Sequence, residues 1–219
     1  MAHCRNLVTA TRLPVSADLE KGFGDSPESC ADTILAAADI GLAGCSIEDH
    51  TGIKDDPIYT FDLARERILA ACEARDALKN DFVVTARCAN FLWGRSDLAD
   101  TIKRLQVFEE AGADVLYAPG LHDLATIRTL CHSVTKPVNV VMGMLGATFD
   151  LAQLAEAGVK RVSVGSALAR VALGAFLTSV REMMDQGSFR FAYRACGFAE
   201  IEAHFDACCA PVTAEGLRL

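Results

Sequence analysis

Six times along the chain a short apolar stretch is followed by a helix-forming one, and three of those helices stop on the same signal. Ile40-Gly41, Ala111-Gly112 and Ala157-Gly158 each stand a few residues before the next apolar stretch. Glycine just past a helix takes the left-handed conformation that closes the last turn and sends the chain back. Stretches such as Phe82-Val83-Val84 and Asp114-Val115-Leu116-Tyr117 lack regular polar alternation, which marks strands covered on both faces and therefore parallel. Parallel strands with a helix after each make either an open doubly wound sheet or a barrel. No GxGxxG follows the first strand, which disfavours a dinucleotide fold. The expectation is an α/β fold: a (β/α) TIM-type barrel of six strand–helix units, two short of eight and so incomplete at its N-terminal end.

Residues 1–13 read as an N-terminal segment, either the end of a helix or unanchored. The first strand leads from Pro14 into the glycine-broken loop to Asp25. Ser26-Pro27-Glu28 then starts a helix, with a cap, a proline in the first turn and an acid at the positive end of the dipole. Ala64, Ile68, Ala71 and Cys72 keep helical spacing, as do Leu98, Ile102, Leu105 and Phe108. After the last strand at Arg161–Gly165 a long helix is expected from about Ala167 to Gln186. Residues 188–219 form a C-terminal helical extension whose tail, from Pro211, is frayed. The whole of 1–219 reads as a single barrel domain.

Composition narrows the function classes. The chain has 219 residues, a hydrophobic fraction of 51% and a charged fraction of 23%, the profile of a folded soluble domain. A net charge of −8 argues against a nucleic-acid partner, which needs a basic face. No apolar run reaches membrane-spanning length, and the start lacks the apolar core of a signal peptide. Nine cysteines without CxxC spacing are neither a disulfide framework nor a zinc ribbon. Cys30, Cys45, Cys72 and Cys131 are read as small core residues, and the expected compartment is a reducing cytoplasm.

Barrel chemistry sits at the carboxyl ends of the strands. Those ends carry Asp18 and Glu20, then Glu48 and Asp49, then Arg87, then Tyr117, Met142 and Gly165-Ser166. Asp18 and Glu20 have the same strand parity, so both side chains can face one point. Acids from two neighbouring strands repel unless a cation lies between them, and Mg²⁺ suits one or two carboxylates completed by water and substrate oxygens. Arg87 has the forked geometry to receive a substrate carboxylate. The competing reading is an internal salt bridge from Arg87 to Glu48.

With these residues in hand, the chain resembles the isocitrate lyase / phosphoenolpyruvate mutase superfamily over about residues 12–205. The matching stretches are PVSADLEKGFGD, AGCSIEDHTG, FVVTARCANFL, AGADVLYAPGL, KPVNVV and GVKRVSVGSALARVALGA. Within it, the chain is most similar to the phosphonomutase-like or oxaloacetate-decarboxylase-like branch. The resemblance implies Mg²⁺, with Mn²⁺ as a substitute, held by Asp18, with Glu20 and Glu48 binding it directly or through its waters. It implies that Arg87 grips the substrate carboxylate, that Arg87 and Glu48 are the catalytic pair, and that the reaction cleaves or decarboxylates a small 2-oxo or 2-hydroxy acid through a metal-stabilised enolate. It further implies a homodimer or homotetramer with helix exchange through the C-terminal segment.

The departures from the family also shape expectation. After the second strand the isocitrate and methylisocitrate lyases carry a cysteine-bearing loop, whereas here the sequence runs His50-Thr51-Gly52-Ile53-Lys54-Asp55-Asp56-Pro57. Isocitrate cleavage is therefore disfavoured; the loop also lacks the asparagine-bearing pattern of the phosphonomutases, which disfavours P–C bond chemistry, and His50 and Lys54 belong to a candidate gating loop. Pro119 stands where methylisocitrate lyases place a glutamate. Family members begin with two further strand–helix units. The alternative to an enzyme is thus an inactive or truncated member serving as a binding or assembly module. A third, weaker reading is a phosphate-handling barrel using Gly165-Ser166 at a helix N-terminus.

Overall fold

The computed structural model describes residues 1–144 and 148–209. Contacts divide the chain into two compact units, Met1–Ala167 and Leu168–Leu219.

The first unit alternates strands and helices in chain order. Helix α1 (Ala2–Ala10) leads to β1 (Ser16–Asp18), α2 (Pro27–Asp39), β2 (Gly44–Glu48), α3 (Phe61–Asp76) and β3 (Val83–Arg87). A 3₁₀ turn (Asn90–Trp93), α4 (Leu98–Glu110), β4 (Val115–Tyr117), α5 (Leu124–His132), β5 (Val138–Val141), α6 (Leu151–Glu156) and β6 (Arg161–Ser163) follow. All six strands are parallel and lie in the order β1-β2-β3-β4-β5-β6. A doubly wound sheet would reverse its strand order at a switch point; this one never does.

The sheet is curled. Nη1 of Arg161 on β6 donates to Oγ1 of Thr85 on β3 at 3.1 Å. In a flat sheet those strands would stand about 14 Å apart, too far for the two side chains to meet. The result is an incomplete α/β TIM-type barrel.

Local signals place the helices as expected. Ser26, Thr60, Asp97, Asp123 and Asp150 each accept the backbone N–H three residues on, and Asp150 completes a capping box with Gln153. Gly41, Gly112 and Gly158 have φ of 89°, 99° and 99°, so the three shared stop signals are left-handed turns, as the sequence indicates.

The strands differ from expectation in one respect: their two faces are unlike. Cys45, Ile47, Val84, Ala86, Leu116, Val138 and Val140 are buried towards the helices, among Ile34, Ile68, Leu105, Phe108, Ile127 and Leu130. The alternate positions, Ser46, Glu48, Thr85, Arg87, Asn139, Arg161 and Ser163, are polar. Burying each large apolar side chain contributes about 1.5–3 kcal/mol, so the helix-facing layer holds the sheet and leaves the inner face free for polar groups. Cys30, Cys45 and Cys72 are buried thiols, as expected, while Cys131 is half-buried at the core's edge.

The second unit takes in α7 (Ala167–Gln186) from Leu168 onward, a 3₁₀ turn (Arg190–Arg194) and α8 (Phe198–Cys209). Helix α7 buries none of its residues, and Leu168, Val171, Leu173, Phe176 and Leu177 are exposed along it. Phe176, Phe191 and Arg194 help to line a groove of about 420 Å³ within this unit. The tail from Pro211 and the side chains of Cys208 and Cys209 lie outside the described residues.

Candidate active site

Three strand ends meet at one ion-paired cluster. Asp18 closes β1, Glu48 closes β2 and Arg87 closes β3. Nη1 of Arg87 lies 2.9 Å from Oδ2 of Asp18, and its Nε lies 2.9 Å from Oε2 of Glu48. Both the expected convergence and the competing salt bridge are thus present in one arrangement. Ser46 Oγ donates to Asp18 Oδ1 at 2.9 Å, which fixes the carboxylate from the neighbouring strand. The Tyr117 ring stands beside Arg87, with the guanidinium carbon 5.6 Å from its centroid.

Burial sets the electrostatics. Glu48 is only 6% exposed, and loss of hydration pushes its carboxyl up to about 7, with Arg87 opposing and Asp18, Glu20 and Asp49 reinforcing. Tyr117 is likewise raised above the usual phenol value by burial, against the pull of Arg87.

Glu20 is placed differently from the parity argument. Strand β1 ends at Asp18, and Glu20 is an exposed turn residue with φ of 51°. Its backbone N–H donates to Asp18 Oδ1 at 3.2 Å, and its carbonyl accepts from Glu48 N at 2.9 Å. It therefore stays beside the cluster through its main chain.

Asp49, the second acid at the end of β2, is placed apart from the cluster. Neighbouring strand residues face opposite ways, so Asp49 turns from the cluster into the protein. Its oxygens accept from Ala89 N at 2.7 Å and pair with Arg104 at 3.2 Å. The role is structural.

Of the loop pair, one member reaches the site. His50 Nδ1 lies 3.7 Å from Glu48 Oε1, and its ring stacks on Trp93 with centroids 4.0 Å apart. Burial, with Arg87, holds its pKa below 6.5. Lys54 is exposed and makes no ion pair among the described residues. The loop's neck is pinned by the His50–Ile58 bridge and by Thr51 N donating to Pro57 O at 2.9 Å, while its tip, 52–56, is exposed.

Arg67, which sequence reading passed over, organises the loop after β1. It is 1% exposed, donates to the carbonyls of Lys21, Gly24 and Ser26, and stacks on Tyr59 with its guanidinium carbon 4.4 Å from the ring centroid. Its only advance signal is a charged residue on the apolar stripe of α3.

Beside the cluster, a cavity of about 260 Å³ opens on the inner face of the sheet, lined by residues that include Asp18, Thr85, Tyr117, Asn139, Arg161 and Ser163. Among the described residues no three His, Cys, Asp or Glu side chains form a ready metal cage. The donor chemistry nevertheless fits a hard divalent cation. Asp18 and Glu48 are oxygen donors at adjoining strand ends, and Oε2 of Glu48 is buried without an aligned hydrogen bond. Such a cation would take its remaining ligands from water and substrate.

A family model described as phosphoenolpyruvate phosphomutase matches residues 1–184. The chain is 29% identical over 198 residues to "Probable 2-methylisocitrate lyase 1" of Corynebacterium glutamicum, covering 86% of this chain and 63% of that protein. It therefore spans a little under two thirds of that curated relative. A crystal structure of a candidate lyase/mutase from Burkholderia cenocepacia J2315 matches with a TM-score of 0.90 at 53% identity, over 96% of this chain and 74% of the other. A 2,3-dimethylmalate lyase, itself a PEP mutase/isocitrate lyase superfamily member, matches with a TM-score of 0.71 at 26% identity, over 90% and 72% of the two chains. The matched span contains every strand and the whole arginine–carboxylate cluster, and the chain accordingly belongs to the phosphoenolpyruvate phosphomutase family, within the isocitrate lyase / phosphoenolpyruvate mutase superfamily.

Proposed function

We propose that this protein is a carbon–carbon lyase acting on a small 2-oxo or 2-hydroxy carboxylic acid, by cleavage or decarboxylation next to the 2-oxo group. The observation that carries it is the cluster at the ends of β1, β2 and β3: Arg87 between Asp18 and Glu48, with the Glu48 carboxyl near 7. The lyase names of the relatives support the reaction class.

Arg87 keeps N–H groups beyond those facing the two carboxylates and uses them to hold the substrate carboxylate. Glu48 is poised between its two protonation states at neutral pH, as a general acid–base requires. It returns a proton from Oε2 to the carbon left by bond cleavage. Tyr117, neutral at that pH, orients the substrate by its hydroxyl.

Asp18 would hold Mg²⁺, or Mn²⁺ in its place, with Glu20 and Glu48 reaching it directly or through water. Bound there, the ion supplies Lewis acidity for negative charge developing on the 2-oxo oxygen. The pinned neck and exposed tip of the loop after β2 suit a gate, with His50 facing the cluster and Lys54 on the moving part. The exposed apolar face of α7 supports a homodimer or homotetramer with exchanged C-terminal helices. The free thiols of the first unit suit a reducing compartment such as the cytoplasm, and none of the described helices is long and apolar enough to cross a membrane.

The test is pyruvate release from a panel of 2-oxo and 2-hydroxy acids with Mg²⁺ present, repeated with Asp18→Ala and Arg87→Ala. Turnover no faster than the protein-free rate across the panel would remove the enzyme reading.

A second reading, an inactive assembly module, is favoured by one observation: β1 and β6 each pair on one side only among the described residues. Unpaired edges invite another chain. Sedimentation showing an oligomer, alongside a silent substrate panel, would select it.

A further inference from the structure

The turn after β3 is fastened to the end of β2 twice. At its start, Ala89 N donates to Oδ1 of Asp49 at 2.7 Å. At its finish, the Trp93 indole lies flat on the His50 ring, with centroids 4.0 Å apart and planes 7° from parallel. Between them Asn90, 1% exposed, donates through Nδ2 to Asp100 at 2.9 Å and to Thr101 at 3.2 Å, both on α4. Gly94, with φ of 75°, closes the turn onto the Asn90 carbonyl. Trp93 thus stands on a fixed mount, although its own side chain is exposed.

What the indole holds is His50, and His50 faces Glu48. Its Nδ1 lies 3.7 Å from Oε1 of Glu48, while Oε2 of the same carboxyl lies 2.9 Å from Arg87 Nε. Nε2 of His50 is buried with no hydrogen-bond partner among the described residues. A neutral imidazole carries one N–H. On Nε2 that hydrogen would be a buried donor left unpaired, and the Nδ1 lone pair would confront the carboxyl oxygen. On Nδ1 it points towards Oε1, so both costs assign it there. At 3.7 Å the N–H acts as an oriented dipole rather than a hydrogen bond, and its direction depends on what holds the ring. The His50 main chain is pinned by its bridge to Ile58. Rotation of the ring is the freedom that remains, and the stack removes it.

We propose that Trp93 is a positioning residue for Glu48: it holds the His50 ring with Nδ1 towards Oε1, and so keeps Oε2 as the oxygen presented for proton transfer. This rests on the reading above that Glu48 is the acid–base group. Trp93 touches neither Glu48 nor substrate and acts only through His50.

The chain has a single tryptophan, so the long-wavelength edge of its near-ultraviolet circular dichroism reports Trp93 alone. The wild-type protein should show a band there. His50→Ala should lose it, and His50→Phe, which keeps a stacking ring, should retain it. Pyruvate release with Mg²⁺ is then measured on whichever acid of the panel turns over fastest. Trp93→Ala should lower kcat about 10- to 100-fold, the scale of a misplaced reacting group, with KM unchanged because Arg87 holds the substrate. Trp93→Phe should restore most of that loss. Should Trp93→Ala fail to fold, Trp93→Leu, which keeps bulk without a stacking face, takes its place with the same expectation. His50→Phe should cost as much as Trp93→Ala despite its retained band. Adding Trp93→Ala to His50→Phe should cost nothing further, as for residues that act as a unit. Full kcat in Trp93→Ala, a loss confined to KM, or losses that multiply in the double variant each overturn this assignment and leave the lyase reading standing. A wild-type protein silent on the whole panel removes the lyase reading, and this inference with it.

Discussion

Nε of Arg87 lies 2.9 Å from Oε2 of Glu48, yet neither atom has an aligned hydrogen bond. The pair is held by charge and proximity rather than by a directional bond. Attraction of that kind depends on separation more than on direction, so either side chain can shift within the pair while the charges stay matched.

Glu48 gives a pH signature. Its folded value of about 7 stands above the ordinary 4.5, so the folded chain holds this proton more tightly than the unfolded chain does. Its contribution to stability is complete below about pH 4.5 and disappears as the pH rises through about 7. Urea midpoints across that window will therefore fall more steeply with pH in the wild-type protein than in Glu48→Gln. Parallel curves would show that the carboxyl titrates at its ordinary value.

Arg67→Met leaves three carbonyls of the loop after β1 without their buried donor. The expected loss is about 2–4 kcal/mol in urea unfolding. Arg67→Lys should recover little, since a point charge lacks the fork that reaches several carbonyls. Full recovery by lysine would mean that charge alone fixes the loop.

Asp49→Asn breaks a buried pair with Arg104 and weakens the acceptor of Ala89 N–H. Destabilisation of roughly 3–5 kcal/mol is expected. Oxalate binding by the protein that remains folded should be preserved, because Asp49 faces away from the cluster. Loss of oxalate affinity without loss of stability would place Asp49 in the site.

Gly44→Ala tests the pairing of β2 with β3. A Cβ there would stand 2.5 Å from the carbonyl oxygen of Val83. Backbone cannot step aside as a flexible side chain can, so the strands must separate locally. A cost of about 1–3 kcal/mol is expected, with faster amide exchange at Val83 and Cys45 than elsewhere in the sheet. An unchanged unfolding midpoint would contradict it.

The fold was legible because its signals are local. Gly41, Gly112 and Gly158 punctuate the helices, and each strand pairs with the next in the chain, so sequence order and spatial order coincide. The cluster was legible where strand ends could be read, at Asp18, Glu48 and Arg87. The orientations of Glu20 and Asp49 were not legible, because one residue decides which face a side chain takes and β1 stops sooner than its apolar pattern. Arg161, Asn139 and Ser163 looked like parts of apolar strands in KPVNVV and KRVSVG. Their polar parity becomes telling only once the inner face is known to be a cavity.

The strands are laid down in the order in which they are made. Contacts between segments close in sequence form readily, and the wall can grow from the β1 edge as the polypeptide emerges from the ribosome. The ion-paired cluster of Asp18, Glu48 and Arg87 then stands before β6 arrives, and Arg161, Ser163 and Gly165 complete the cavity last. A nascent chain halted before Arg161 would carry the Arg87 cluster on a wall still open on its β6 side, so the cavity is enclosed only in molecules whose sheet has been finished.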